Sequence, residues 1–187
     1  MALLVLGLAL WVGAHLFKRA APGGRAALES RLGGGAAKGA MAAILALSVV
    51  LMVIGYRGEP YVPVYTPPAW GVHLNNLAMF FAIALFGLGS SKSNFRGTLR
   101  HPQLTGFALW AASHLLVNGD LHSLILFGTL LVWALVEIPV LNATTARPEP
   151  FEGGSWRGTL RLALISAALY AVITAIHAWL GVWPFAG

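Results

Sequence analysis

A chain of 187 residues has the length of one domain, but 58% hydrophobic and only 10% charged residues, with a mean hydropathy of +0.75, exclude a water-soluble globular protein. The net charge of +6 does not mark a nucleic-acid binder, because the Lys and Arg residues stand between apolar runs rather than in one patch interleaved with aromatics. With no cysteine, the chain excludes disulfides, iron–sulfur clusters, thiolate metal ligands and thioether-linked cofactors, so any metal depends on histidine or oxygen ligands.

A hydrocarbon core of about 30 Å takes roughly 20 helical residues. Six apolar stretches approach that length: Ala2–Phe17, Ala37–Tyr56, Val72–Ser90, Pro102–Val117, Leu121–Leu141 and Thr159–Trp183. The first follows Met1 directly and has Lys18 and Arg19 behind it, the reverse of the order in a cleaved signal peptide. The first and fourth are short, which predicts that they begin in the interfacial zone or where the bilayer thins. Between the first two stretches, Pro22 to Gly39 is rich in glycine and alanine with scattered charges and reads as a flexible connection. The next connection, Arg57 to Trp70, is different. Pro60, Pro63, Pro67 and Pro68 among Tyr61, Tyr65 and Trp70 predict a stiff aromatic segment lying on the membrane interface. Asn118-Gly119-Asp120 reads as a tight turn between the fourth and fifth stretches.

Eleven of the 12 Lys and Arg residues fall in the first, third and fifth connections: Lys18, Arg19, Arg25, Arg31 and Lys38, then Lys92, Arg96 and Arg100, then Arg147, Arg157 and Arg161. The opposite side has Arg57 alone. The positive-inside rule therefore places those three connections in the cytoplasm and both termini outside. The fold expected is an all-α integral membrane protein, a six-helix transmembrane bundle forming a single domain over residues 1–187 in a lipid bilayer.

Lipid does not solvate polar groups, so those within the spans face the bundle interior. Histidine supplies most of them. A rise of about 1.5 Å per residue places His15 and His101 near the cytoplasmic ends of their helices, and His73, His114, His122 and His177 in the outer half. Gln103, Phe107, Trp110 and His114 share one stripe of the fourth helix, an aromatic approach to an imidazole, while Trp11 stacks one turn from His15. His101 and His114 fall on largely different faces and do not grip one metal side by side. Ser166, Tyr170, Thr174 and His177 form a polar stripe on the sixth helix. A lone intramembrane histidine is more often a packing residue than a ligand, but several in a cysteine-free bundle point to haem b, whose usual ligand in such settings is neutral imidazole. Arg100-His101-Pro102 opens the fourth helix, where unpaired N–H groups and the dipole favour an anion such as a propionate, a phosphate or a lipid headgroup. Glu137 is the one carboxylate within a span, with Arg100 or Arg161 as its candidate counter-ion.

The run Arg100-His101-Pro102-Gln103-Leu104-Thr105-Gly106 through Trp110, followed by Ser113-His114-Leu115-Leu116-Val117-Asn118-Gly119-Asp120, resembles the signature of NnrU-type membrane proteins, relatives of plant 15-cis-zeta-carotene isomerase. Gly13-Ala14-His15 and Gly71-Val72-His73 match in the same order, so the resemblance covers nearly the whole chain. It implies a bacterial inner (plasma) membrane protein associated with nitrogen-oxide metabolism and nitric oxide reductase in denitrification. The isomerase branch implies haem b, with redox-gated isomerisation at its iron, and His15 and His114 match that branch's proposed axial ligands. Two residues depart from it: Ala111 replaces a cysteine proposed as an alternative ligand, and Trp133 replaces a further histidine. Ligand switching through that cysteine cannot occur here, which favours the NnrU branch. Depth resists the His15–His114 pairing, since the two differ by roughly 16 Å along the membrane normal and need tilted helices or a haem lying nearly flat. His73 with His114 is the depth-compatible pair.

The sequence thus implies a haem b site drawing on His15, His114, His73, Arg100, His101 and Trp110, with His15 and His114 on the metal, and no assigned catalytic residue. Two other functions compete. Arg-His-Pro followed by a glycine also resembles prenylcysteine and phospholipid methyltransferases, but those carry a paired glutamate motif near the carboxyl end that helps hold the cofactor, and here Glu149 and Glu152 sit in a proline-containing loop instead. The small size with no soluble catalytic domain fits a non-enzymatic assembly factor or transporter for a respiratory or denitrification reductase.

Overall fold

A computed structural model describes residues 1–149 and 151–185, with the side chains of Lys18 and Ala20 outside that description. Among the described residues the protein is all-helical: α1 Ala2–Ala20, α2 Pro22–Leu32, α3 Gly34–Arg57, α4 Gly71–Leu88, α5 Pro102–Leu115, α6 Leu121–Thr144 and α7 Trp156–Trp179. Four of them, α3, α4, α6 and α7, are long and apolar enough to cross a membrane. A fifth span results if α1 and α2, which meet at a 90° bend, are taken as one broken segment. At 14 residues, α5 is about 21 Å long, short of a full hydrocarbon core. All six apolar stretches are therefore helical, while length and composition alone qualify fewer than six as spans.

The expected flexible connection at Pro22–Gly39 is a correction: most of it is α2 and the first turns of α3. Pro22 starts α2 at a position where its missing N–H costs nothing, the Arg-Ala-Ala-Leu-Glu run favours helix, and Gly33 at φ 79° ends it. Only a single-residue break separates it from α3.

The chain divides into two compact units, Met1–Pro63 with Asp120–Thr129 and Val64–Gly119 with Leu130–Gly187. In the first, α1 packs along α3 through small residues. A Cβ on Gly7 would stand 2.7 Å from the Ser48 carbonyl oxygen, and one on Gly55 would strike the Leu4 backbone. Leu4, Leu8, Ser48 and Met52 are buried in this seam. Such close approach is how membrane helices associate, because lipid removes the hydrophobic drive and leaves packing to do it.

The start of α6 belongs to the same unit. Asp120 precedes its first residue and caps it, Oδ1 accepting the Ser123 N–H at 2.8 Å and Oδ2 the Ser123 hydroxyl at 2.7 Å. Tyr56, near the end of α3, meets Ser123 Oγ at 2.8 Å, and the His122 ring reaches Asp120 Oδ1 at 3.0 Å. Exchanging Asp120 for alanine is expected to remove about 1–2 kcal/mol, the worth of an N-cap, measurable as a lowered thermal midpoint in detergent.

In the second unit α4 and α5 run antiparallel. Gly71 faces the Leu116 carbonyl at one end of the pair, and Gly106 faces the Ala82 carbonyl further along. Ala78, Ala82, Ala108 and Ala111 are buried in keeping with a small-residue interface. The aromatic segment before α4 is extended, with Val64 N and Tyr65 N both donating to the Gly119 carbonyl at 2.8 and 3.0 Å. The Tyr65 hydroxyl donates to Asn118 O at 2.9 Å and also contacts Leu115 O. Tyr61 and Trp70 are 66% and 58% exposed. Tyr65→Phe leaves those two carbonyls without the hydroxyl and is expected to cost about 1–1.5 kcal/mol, read by denaturation in detergent.

At the other end of this unit the α4–α5 connection holds the start of α7 and the segment before it. Lys92 O accepts from Ser155 N at 3.0 Å, and Ser93 Oγ meets Thr159 Oγ1 at 3.0 Å, fixing the start of α7, whose N-cap Ser155 accepts from Gly158 N. Arg96 lies over the Phe151 ring at 4.0 Å.

Candidate functional site

Three histidines share one hydrogen-bond geometry. His15 Nδ1 lies 2.8 Å from the Trp11 carbonyl oxygen, His114 Nδ1 2.9 Å from that of Trp110, and His177 Nδ1 2.8 Å from that of Ile173. A carbonyl only accepts, so Nδ1 carries the proton in each case and Nε2 carries the lone pair. That is the tautomer of a metal-ligating imidazole, oriented by a backbone acceptor and presenting Nε2.

The bond alone does not single out a ligand, because an imidazole in a lipid-embedded helix satisfies its N–H on the i−4 carbonyl wherever it sits. What distinguishes His15 and His114 is the tryptophan four residues earlier. Trp11 and His15 stack at 4.4 Å between ring centroids with a 43° tilt, and Trp110 and His114 at 5.1 Å with a 51° tilt. The same Trp-x-x-x-His module therefore occurs once in each unit.

Around His114 the module extends into a wall. Phe107 stacks on Trp110 at 5.2 Å and meets Trp133 of α6 edge-on at 5.2 Å. Trp133 is 7% exposed and Ala111 fully buried. Both positions thus hold packing residues. Three members of the expected stripe, Phe107, Trp110 and His114, form a continuous ring stack, while Gln103 lines a cleft at the far end of α5.

Asn76 Nδ2 donates to Pro184 O at 2.9 Å, bringing the end of α7 to the first turns of α4, where His73 is exposed. Within the second unit, His73, His114 and His177 therefore occupy one end, as the rise along each helix predicts. Asn75, buried at the same end, has an Oδ1 with no hydrogen-bond partner among the described residues.

Arg100 and His101 sit at the opposite end of α5. Arg100 Nη2 donates to Thr145 O at 2.7 Å and to Thr145 Oγ1 at 3.2 Å, placing its charge on the carbonyl end of α6, where the dipole favours a cation. His101 Nε2 lies 3.1 Å from Asn142 Oδ1. With Pro102 and Gln103 these two line a cleft of about 350 Å³. Glu137 is buried within α6, and Glu149 and Glu152 are exposed in the connection before α7. Neither the Tyr56–Ser123 hydrogen bond nor the Arg100 cap is legible in the sequence, since each joins residues more than 40 positions apart, whereas the local Asp120–Ser123 part carries the capping signal Asp-Leu-His-Ser.

Among the described residues no group of three or more His, Asp or Glu side chains converges on one point. A metal bound only by protein would need such a group. Single imidazoles, each oriented through Nδ1 beside flat aromatic rings, instead suit an iron whose equatorial ligands come with it, and the residues present fit a haem on that ground. A family model described as NnrU protein matches residues 3–184. No curated protein and no solved structure matches the chain. Since that one match takes in all seven helices, this chain with its several membrane-crossing helices belongs to the NnrU family.

Proposed function

We propose that the protein holds haem b through His114 in a bacterial inner membrane and serves nitrogen-oxide metabolism beside a nitric oxide reductase or another respiratory reductase. The observation that carries this reading is the oriented imidazole of His114 at the end of the Phe107–Trp110 stack. Haem, when bound, would supply one-electron chemistry at its iron. The chain's own residues do the rest: the Trp110 carbonyl holds the tautomer, Trp110 and Phe107 offer flat apolar surface, and the buried Trp133 closes that surface to water. Family membership supports the association with nitric oxide reduction.

In the same reading α1 and α5 complete a set of six crossings. The clustering of Lys and Arg in alternate connections supports both termini lying outside. The shortness of α5 is met by local thinning or by anchoring at its ends.

The test is an absorption spectrum of detergent-purified protein after haem supplementation. A Soret band with resolved α and β bands on reduction is expected. No Soret absorption from folded, haem-supplemented protein overturns the reading. Replacing His73 and His177 one at a time then identifies a second ligand, because losing it converts a six-coordinate low-spin spectrum into a high-spin one.

A further inference from the structure

We infer that α2 is an interfacial helix that binds the anionic lipid headgroups of the cytoplasmic leaflet. The inference rests on the membrane topology proposed above and not on haem. α1 is apolar over Ala2–Phe17, and α2 leaves it at 90°. If α1 crosses the bilayer, α2 lies along the membrane plane at its cytoplasmic end.

The side of α2 that faces the bilayer can be identified. A Cβ on Gly24 would stand 3.2 Å from the Phe17 ring, so the face of α2 bearing residue 24 turns toward the apolar end of α1. Leu28 and Leu32 follow Gly24 at four-residue steps and share that face. Leu32 is 50% exposed, Leu28 is half-buried and none of the side chains of α2 is fully buried, so the protein leaves this stripe partly open.

Arg25 and Arg31 stand three residues before and three after Leu28, about 60° to either side of it. This is the arrangement in which leucines enter the acyl boundary while a flanking arginine reaches phosphates, the part open to the exposed Arg31, since Arg25 is largely covered. Glu29 and Ser30 fall toward the opposite side. Glu29 accepts from Arg25 Nε at 2.8 Å, which offsets part of the charge. The segment from Lys18 to Lys38 still holds five basic residues against that one acid, a balance suited to an anionic surface.

The absence of native cysteine makes the test direct. Single variants Leu28→Cys, Leu32→Cys and Ser30→Cys of the full chain are spin-labelled and reconstituted into bilayers containing phosphatidylglycerol. Collision with dissolved oxygen is then compared with collision with an aqueous nickel chelate. Labels at 28 and 32 are expected to favour oxygen, and the label at 30 the chelate. Adding Arg31→Gln is expected to shift the label at 32 toward water, with the lipid-facing partition falling about fivefold per lost arginine. High salt should do the same.

A control label at Val49, exposed on α3, separates the two ideas. If Val49 is lipid-facing while 28, 30 and 32 are equally aqueous, the interfacial helix is refuted and the membrane reading stands. If Val49 is aqueous too, the membrane reading itself fails. Equal lipid exposure of 28 and 32 in phosphatidylglycerol and in pure phosphatidylcholine refutes recognition of anionic headgroups. Aqueous labels that become protected only on adding a second protein would refute the lipid as partner.

Discussion

Replacing His114 with alanine is expected to abolish the Soret band of haem-supplemented protein while leaving the helical circular dichroism intact. The imidazole is half-buried at the end of α5, and its removal deletes the ligand atom together with the Nδ1–H donor to Trp110 O. The loss of affinity should exceed the roughly 10- to 100-fold that removing an outer-shell partner costs. A glycine at 114 with free imidazole in solution should restore a Soret band, because the vacated volume admits the ligand; a misfolded variant would not respond. Trp110→Phe separates wall from ligand. It keeps the backbone carbonyl, hence the His114 tautomer, so haem should remain with a shifted Soret maximum. Full retention of haem by His114→Ala would remove His114 from the site and leave His15 as the other tryptophan-backed imidazole to examine.

How much of this was legible in sequence depends on the range of each interaction. Hydropathy is summed over neighbouring residues, so the six apolar stretches lie within a few positions of α1, α3, α4, α5, α6 and α7. The Trp11–His15 and Trp110–His114 stacks were visible for the same reason, since a separation of four positions on a helix is a contact. The grouping of His73, His114 and His177 at one end followed from the rise per residue alone. α2 is hard to read in the sequence because its glycines argue against helix while its Arg-Ala-Ala-Leu-Glu run argues for it. Gly23 and Gly24 lie in its first turn, where backbone N–H groups lack intrahelical partners anyway, so their cost is small. For Arg100 the sequence shows only the helix start beside it, whereas its hydrogen-bond partner, the carbonyl end of α6, comes from residues about 45 positions later in the chain. No local pattern encodes that meeting, just as none encodes Trp133 closing on Phe107.

The second large effect is expected at Gly55. Valine there should separate α1 from α3 and cost about 3 kcal/mol, the upper part of the usual range for overpacking. The magnitude follows from what the added Cβ would meet: the backbone of Leu3 and Leu4, which cannot swing aside as a side chain could. Gly7 is the reciprocal position, where a Cβ would stand 2.7 Å from Ser48 O and 2.8 Å from Met52. Relief at Gly55 must therefore come from moving one helix bodily, which also opens the seam around Leu4, Leu8 and Ser48. Gly55→Ala should lie between wild type and valine, and Gly39→Ala, where a Cβ meets nothing within 4 Å, should be neutral or slightly stabilising. Thermal unfolding in detergent, followed by circular dichroism, ranks the three. A Gly55→Val protein as stable as wild type would mean that α1 and α3 do not pack through this seam in the membrane. In that case the 90° turn into α2 would lose the packed helix pair that holds it.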